Sequence, residues 1–127
     1  ARTDSRATHD LDEALRRGEA FLNAGADILF IEAPQSVDEM QRIKNEFPEA
    51  NLIANIVEGG KTPELSIEEL AKIGFKIVLR PVSALLAISG TLQDCYSALL
   101  NSNYDQKNSS KISFEEYNDM IGLATFE

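Results

Sequence analysis

The sequence predicts an α/β protein built from successive strand–helix units with parallel strands. Three observations carry that prediction. Short apolar runs at Ile28–Ile31, Leu52–Val57 and Lys76–Leu79 lack polar alternation, as parallel strands covered on both faces do. Their starts are evenly spaced, 24 residues apart each time. Between them lie helical patterns with matching start and stop signals.

In chain order, Ala1-Arg2-Thr3-Asp4 reads as the last stub of a preceding strand and leads almost directly into a helix. Asp10 with Glu13, Ser36 with Glu39, Ser66 with Glu69 and Ser113 with Glu116 have capping-box spacing, in which the first side chain accepts an orphan amide and the acid reaches back. Leu11, Leu15, Gly18 and Leu22 form one helical stripe; Val37, Met40, Ile43 and Phe47 form another. Gly25 and Gly74 stand where a left-handed terminating residue is wanted. A longer helix from about Val82 to Leu100 carries Leu85, Ile88, Leu92, Cys95, Tyr96 and Leu99 on one side. A polar stretch over 102–113 reads as a linker, and Phe114, Tyr117, Met120 and Ile121 make a small amphipathic helix ending at Gly122. So few strands leave open edges, so the chain reads as part of something larger.

Composition narrows the function. The net charge of −9 and pI near 4.6 oppose a nucleic-acid or anionic-membrane surface, which needs concentrated basic charge. No segment has the length and apolarity of a membrane span. Cys95 is the only cysteine, which fits a reducing, cytoplasmic setting without a disulfide framework.

In strand–helix barrels and open sheets alike, ligands meet the carboxyl ends of the strands. Here those ends carry Arg2 with Asp4, Glu32, Asn55 with Glu58, and Arg80. A guanidinium beside an acid and an amide suits a carboxylate-bearing substrate: Arg2 can bind one carboxylate bidentately and Asn55 can donate to another oxygen. Glu32 can order water or a substrate hydroxyl, or transfer a proton. The alternative is that these polar residues merely cap a sheet.

The segments ARTD, AGADILFIEAP, LIANIVEGGKTPELS and GFKIVLRPVSALL, in that order, resemble the second half of the isocitrate lyase and phosphoenolpyruvate mutase superfamily. The branch they resemble contains 2-methylisocitrate lyase, oxaloacetate decarboxylase and carboxyphosphonoenolpyruvate mutase-like proteins, and the tail ISFEEYNDMIGL is similar to the C-terminal segment of the same proteins. The resemblance implies the C-terminal half of a (β/α)8 barrel of the TIM type. Residues 1–101 would run from the end of strand five through helix eight, 102–113 would be the linker, and 114–127 a helix docked or exchanged onto another subunit of a homo-oligomer. It implies that Arg2 and Asn55 bind substrate and that Glu32 is catalytic. It also implies Mg²⁺, stabilising an enolate while a C–C or P–C bond breaks, with its ligands and a cysteine loop in the missing N-terminal half of the barrel.

The departures shape the expected substrate. Where 2-methylisocitrate lyases carry an arginine after the PLSA-type segment, this sequence has Leu86, and ISFEEY offers none either. A small dicarboxylate such as oxaloacetate or an alkylmalate is therefore expected over a tricarboxylate. The reading is a Mg²⁺-dependent lyase or decarboxylase of 2-oxo or 2-hydroxy dicarboxylates. Its rivals are a P–C mutase and an inactive half-barrel serving only assembly. Among other residues, GGKT lacks the glycine of a phosphate loop at Asn55. His9 reads as a solvated loop residue and Cys95 as packing. Glu58–Lys61 is either a lid or a plain solvated loop. Arg80 either binds an anion or pairs with Glu58 or Glu32. Asp12, Glu13, Arg16, Arg17 and Glu19 make a solvated helix face.

Overall fold

The computed structural model describes residues 1–101 and 111–126. The chain divides into two compact units, Ala1–Ala84 and Leu85–Glu127. Most of the linker expected over 102–113 lies outside the described residues.

The first unit runs β1 (Arg2–Thr3), α1 (Ser5–Thr8), α2 (Leu11–Asn23), β2 (Ile28–Ile31), α3 (Val37–Glu46), β3 (Asn51–Asn55), α4 (Ile67–Ile73) and β4 (Phe75–Leu79). The four strands form one parallel sheet in the order β1-β2-β3-β4. Because the order never reverses, crossovers of one hand lay the helices against one face. Leu29, Ile31, Leu52, Ala54 and Ile56 on that face pack with Leu11, Ala14, Leu15, Met40, Ile43, Phe47 and Leu70 into a single core. Gly18 lets α2 approach it: a Cβ there would stand 3.0 Å from the Phe47 ring.

The start signals act where the sequence puts them. Asp10, Ser36, Ser66 and Ser113 each accept from the amide three residues on. α2 ends in a Schellman pair, Gly25 N–H to the Leu22 carbonyl and Ala26 N–H to that of Phe21, with Gly25 at φ 95°. Gly74 (φ 115°) ends α4.

Two expectations need correction. β3 stops at Asn55 rather than Val57, because Val57 opens the turn closed by Gly60 N–H to its carbonyl. Among the described residues of the first unit, the sheet is covered on one face only: along β2 and β3 the alternate residues Ile28, Phe30, Ile53 and Asn55 stay half-exposed.

In the second unit, α5 (Ser83–Leu100, its first two residues belonging to the first unit) buries no residue. Leu85, Ile88, Leu92, Tyr96 and Leu99 of its expected packing stripe are exposed, and Cys95 is half-buried. α6 (Phe114–Met120) starts with a complete capping box at Ser113 and Glu116 and leads into a 3₁₀ turn, Leu123–Thr125. Among the described residues no helix is long and apolar enough to cross a membrane.

Candidate active site

Register gathers the strand-end polar residues on the uncovered face. Arg2 is paired with Phe30, and Glu32 follows Phe30 by two residues, so both side chains emerge on that side. Glu32 N–H donates to the Thr3 carbonyl at 3.0 Å, which carries the ladder one step past β2. Leu29 is paired with Leu52, so Asn55 stands level with Glu32.

The three residues meet. Asn55 Nδ2 donates to both Glu32 oxygens at 3.3 and 3.4 Å, and Arg2 Nη2 lies 3.5 Å from Glu32 Oε2. The Glu32 side chain is 19 % exposed, the Arg2 side chain 50 %. The Asn55 amide has a forced orientation: turned over, its oxygen would face a carboxylate. Asn55 Oδ1 is then buried with no partner among the described residues.

Arg2 is fixed from three sides. Its Nε and Nη2 bind the two Asp4 oxygens at 3.1 and 2.7 Å, its guanidinium lies 4.8 Å from the centre of the Phe30 ring, and Glu32 stands beyond Nη2. The hydrogen bond to Asp4 raises the Arg2 pKa, and the guanidinium holds the Asp4 carboxyl below its ordinary value. With the Nε–Nη2 edge taken, Nη1 is the part of the guanidinium left for a ligand carboxylate.

The other strand-end groups do not join this cluster. Arg80 donates to the Leu65 carbonyl at 3.3 Å rather than pairing with Glu32. Glu58 accepts from the Ser83 hydroxyl, which with the more distant Arg80 charge keeps its carboxyl below the ordinary value. Nothing in the sequence marks Ser83 as its partner. The Gly59 amide is occupied by Glu64 at 2.8 Å, so the GGKT loop holds an internal carboxylate where a phosphate loop would hold a phosphate. His9 is exposed and bonded to Thr8.

Sequence reasoning missed Ala33, the residue after Glu32. Its φ is +56°, the one positive value outside glycine among the described residues. A left-handed alanine is uncommon and the following Pro34 restricts it further, so no composition signal predicts it.

The profile of the phosphoenolpyruvate phosphomutase family matches residues 1–100. The chain belongs to the isocitrate lyase and phosphoenolpyruvate mutase superfamily. It is 42 % identical to the 2,3-dimethylmalate lyase of Eubacterium barkeri over 124 residues, covering 97 % of this chain and 43 % of that protein. It is 35 % identical to the chloroplastic carboxyvinyl-carboxyphosphonate phosphorylmutase of Arabidopsis thaliana over 127 residues, 97 % of this chain and 37 % of that one. The crystal structure of a 2,3-dimethylmalate lyase superposes with a TM-score of 0.88 at 28 % identity over 98 % of this chain and 44 % of its own. The chain thus spans less than half the length of these superfamily relatives. Its four parallel strands are an arc of the superfamily's β/α barrel.

A divalent cation does not fit the residues present. Among the described residues no three His, Cys, Asp or Glu side chains converge. Glu32, the acid in the cluster, already faces a guanidinium, which would compete with a cation.

Proposed function

We propose that the Arg2–Glu32–Asn55 rim serves a C–C bond lyase or decarboxylase acting on small 2-oxo or 2-hydroxy dicarboxylates through an enolpyruvate-like intermediate. The observation that carries this reading is the contact of the three side chains across three adjacent strand ends. Arg2 binds a substrate carboxylate through the part of its guanidinium that Asp4 leaves free. Asn55, held by Glu32, orients the bound acid. Glu32 accepts or delivers a proton at a water or substrate hydroxyl that reaches its carboxylate. The 2,3-dimethylmalate lyase relative and the absence of an arginine at Leu86 both support a dicarboxylate.

A cation such as Mg²⁺ would take its ligands from outside this chain, in the N-terminal half of the barrel, and partners include further copies exchanging C-terminal helices. A P–C bond mutase is the second reading, favoured by the family profile and by the phosphorylmutase relative.

The test is steady-state turnover of oxaloacetate and of 2,3-dimethylmalate by the intact protein and its Arg2→Ala variant. Loss of one charge-assisted carboxylate contact lowers kcat/KM roughly 100-fold. Unchanged turnover by Arg2→Ala would remove the assignment, and phosphonate formation seen by phosphorus NMR would favour the mutase.

A further inference from the structure

Glu39 has the capping-box position of α3, yet its carboxylate does not close the box. Its Oε2 accepts from the Gln35 amide at 2.8 Å. The Arg6 guanidinium grips the same carboxylate side-on, Nε to Oε2 at 2.9 Å and Nη2 to Oε1 at 2.8 Å. Both side chains are about four-fifths covered, at 20 % and 21 % exposure. Arg6 belongs to α1, which follows the strand end bearing Arg2. Gln35 ends the turn that leaves the strand end bearing Glu32.

That turn, Glu32-Ala33-Pro34-Gln35, contains the left-handed Ala33. A strained backbone persists only where its surroundings over-determine it, and such strain tends to sit at functional sites. On one side the turn is fixed by Glu32 N–H on Thr3; on the other, the Gln35 amide is tied to Glu39. Released at Gln35, the turn is free to relax toward negative φ at Ala33, and Glu32 at its head keeps only the tether on Thr3.

We propose that Glu39, clamped by Arg6, is a positioning residue: it holds the strained turn after β2 and so aims Glu32 at Arg2 and Asn55. The clamp also ties the segment following Arg2 to the segment following Glu32, so two of the three rim residues share one support. This rests on the reading of Glu32 as a working group of the site.

The experiment measures kcat, KM and melting temperature for the intact protein and its variants, on whichever of oxaloacetate and 2,3-dimethylmalate the wild type turns over. Glu39→Ala removes the acceptor, and a misaimed reacting group costs roughly ten- to a hundredfold in kcat. Glu39→Gln keeps an amide oxygen for Gln35 N–H, so kcat stays near wild type while the melting temperature falls. Ala33→Gly in the Glu39→Ala background makes the left-handed φ free of penalty, so kcat recovers there although the Arg6 ion pair stays absent. An ion pair that merely stabilised the fold would show the opposite pattern, lost melting temperature with unchanged kcat in Glu39→Ala, and would overturn the proposal. So would a folded Ala33→Gly/Glu39→Ala protein with no recovery. If Glu39→Ala does not fold, Glu39→Met keeps the bulk without an acceptor and carries the same comparison. A Glu32→Gln variant with full turnover overturns the reading of the site itself, whereas an inactive Glu32→Gln beside a fully active Glu39→Ala overturns only the positioning role.

Discussion

Helices α3 and α4 start from the same four-residue signal, Ser-x-x-Glu, each following a strand of the same sheet, and they spend the glutamate differently. At α4 the box closes: Ser66 Oγ accepts from Glu69 N–H at 3.2 Å and Glu69 Oε2 from Ser66 N–H at 2.8 Å. At α3 the first half is made, Ser36 Oγ to Glu39 N–H at 3.1 Å, but the carboxylate reaches one residue further back, to Gln35, and meets Arg6. A guanidinium in side-on geometry offers two charge-assisted bonds where the cap amide offers one neutral donor. The difference teaches that a capping motif fixes where a helix begins, while the fate of its acid depends on which cation the fold brings near.

The largest effects should be equal in the two helices. Met40 of α3 and Leu70 of α4 are both fully buried in the one core. Met40→Ala and Leu70→Ala should each cost about 2–5 kcal/mol in urea unfolding. Similar losses would leave only the N-termini to distinguish the helices; a much smaller loss at Leu70 would mean that α4 is loosely anchored, and the comparison would fail. Next in size is Glu39→Ala, about 1–2 kcal/mol, since a partly covered charged acceptor leaves both Gln35 N–H and Arg6 unpaired. Glu69→Ala, fully solvated at its own cap, should cost less than Glu39→Ala. An equal or larger loss at Glu69 would show that the Arg6 clamp contributes nothing beyond an ordinary cap.

Much of this was legible because it depends on neighbours in sequence. The run Ile28–Ile31 is β2 itself, the four caps accept their amides, and Gly25 and Gly74 stop their helices. Arg2, Glu32 and Asn55 could be grouped because parallel strands in sequential order bring equivalent ends together. What was not legible depends on distant partners or on rare backbone. Arg6 finds Glu39 across 33 residues, and Ser83 finds Glu58 across 25. Ala33 adopts a φ its composition disfavours. The half-exposed Phe30 and Ile53 and the exposed Leu85 and Ile88 have the apolarity of buried residues, yet the described residues of their own units leave them open. Apolar patterning predicts that a face is buried, not which chain segment buries it.

The smallest effect, and the sharpest for the comparison, lies in pH. Hydrogen bonding by Arg6 is the main cause that holds the Glu39 carboxyl below its ordinary value of 4.5; at Glu69 the cause is its own cap, the backbone and hydroxyl of Ser66. In both cases the folded carboxyl is depressed, so below about pH 4.5 the unfolded chain binds more protons than the folded one. Stability from each group is therefore complete above that pH and drains away as pH falls through the lower folded value. Glu39→Gln should flatten part of the acid-side decline in the urea midpoint, and Ser66→Ala another part. Only the Glu39 part should also vanish in Arg6→Met, because Arg6 is its source. A decline that Arg6→Met leaves untouched would mean that Glu39 in solution closes its capping box as Glu69 does, and the two helix starts would be alike after all.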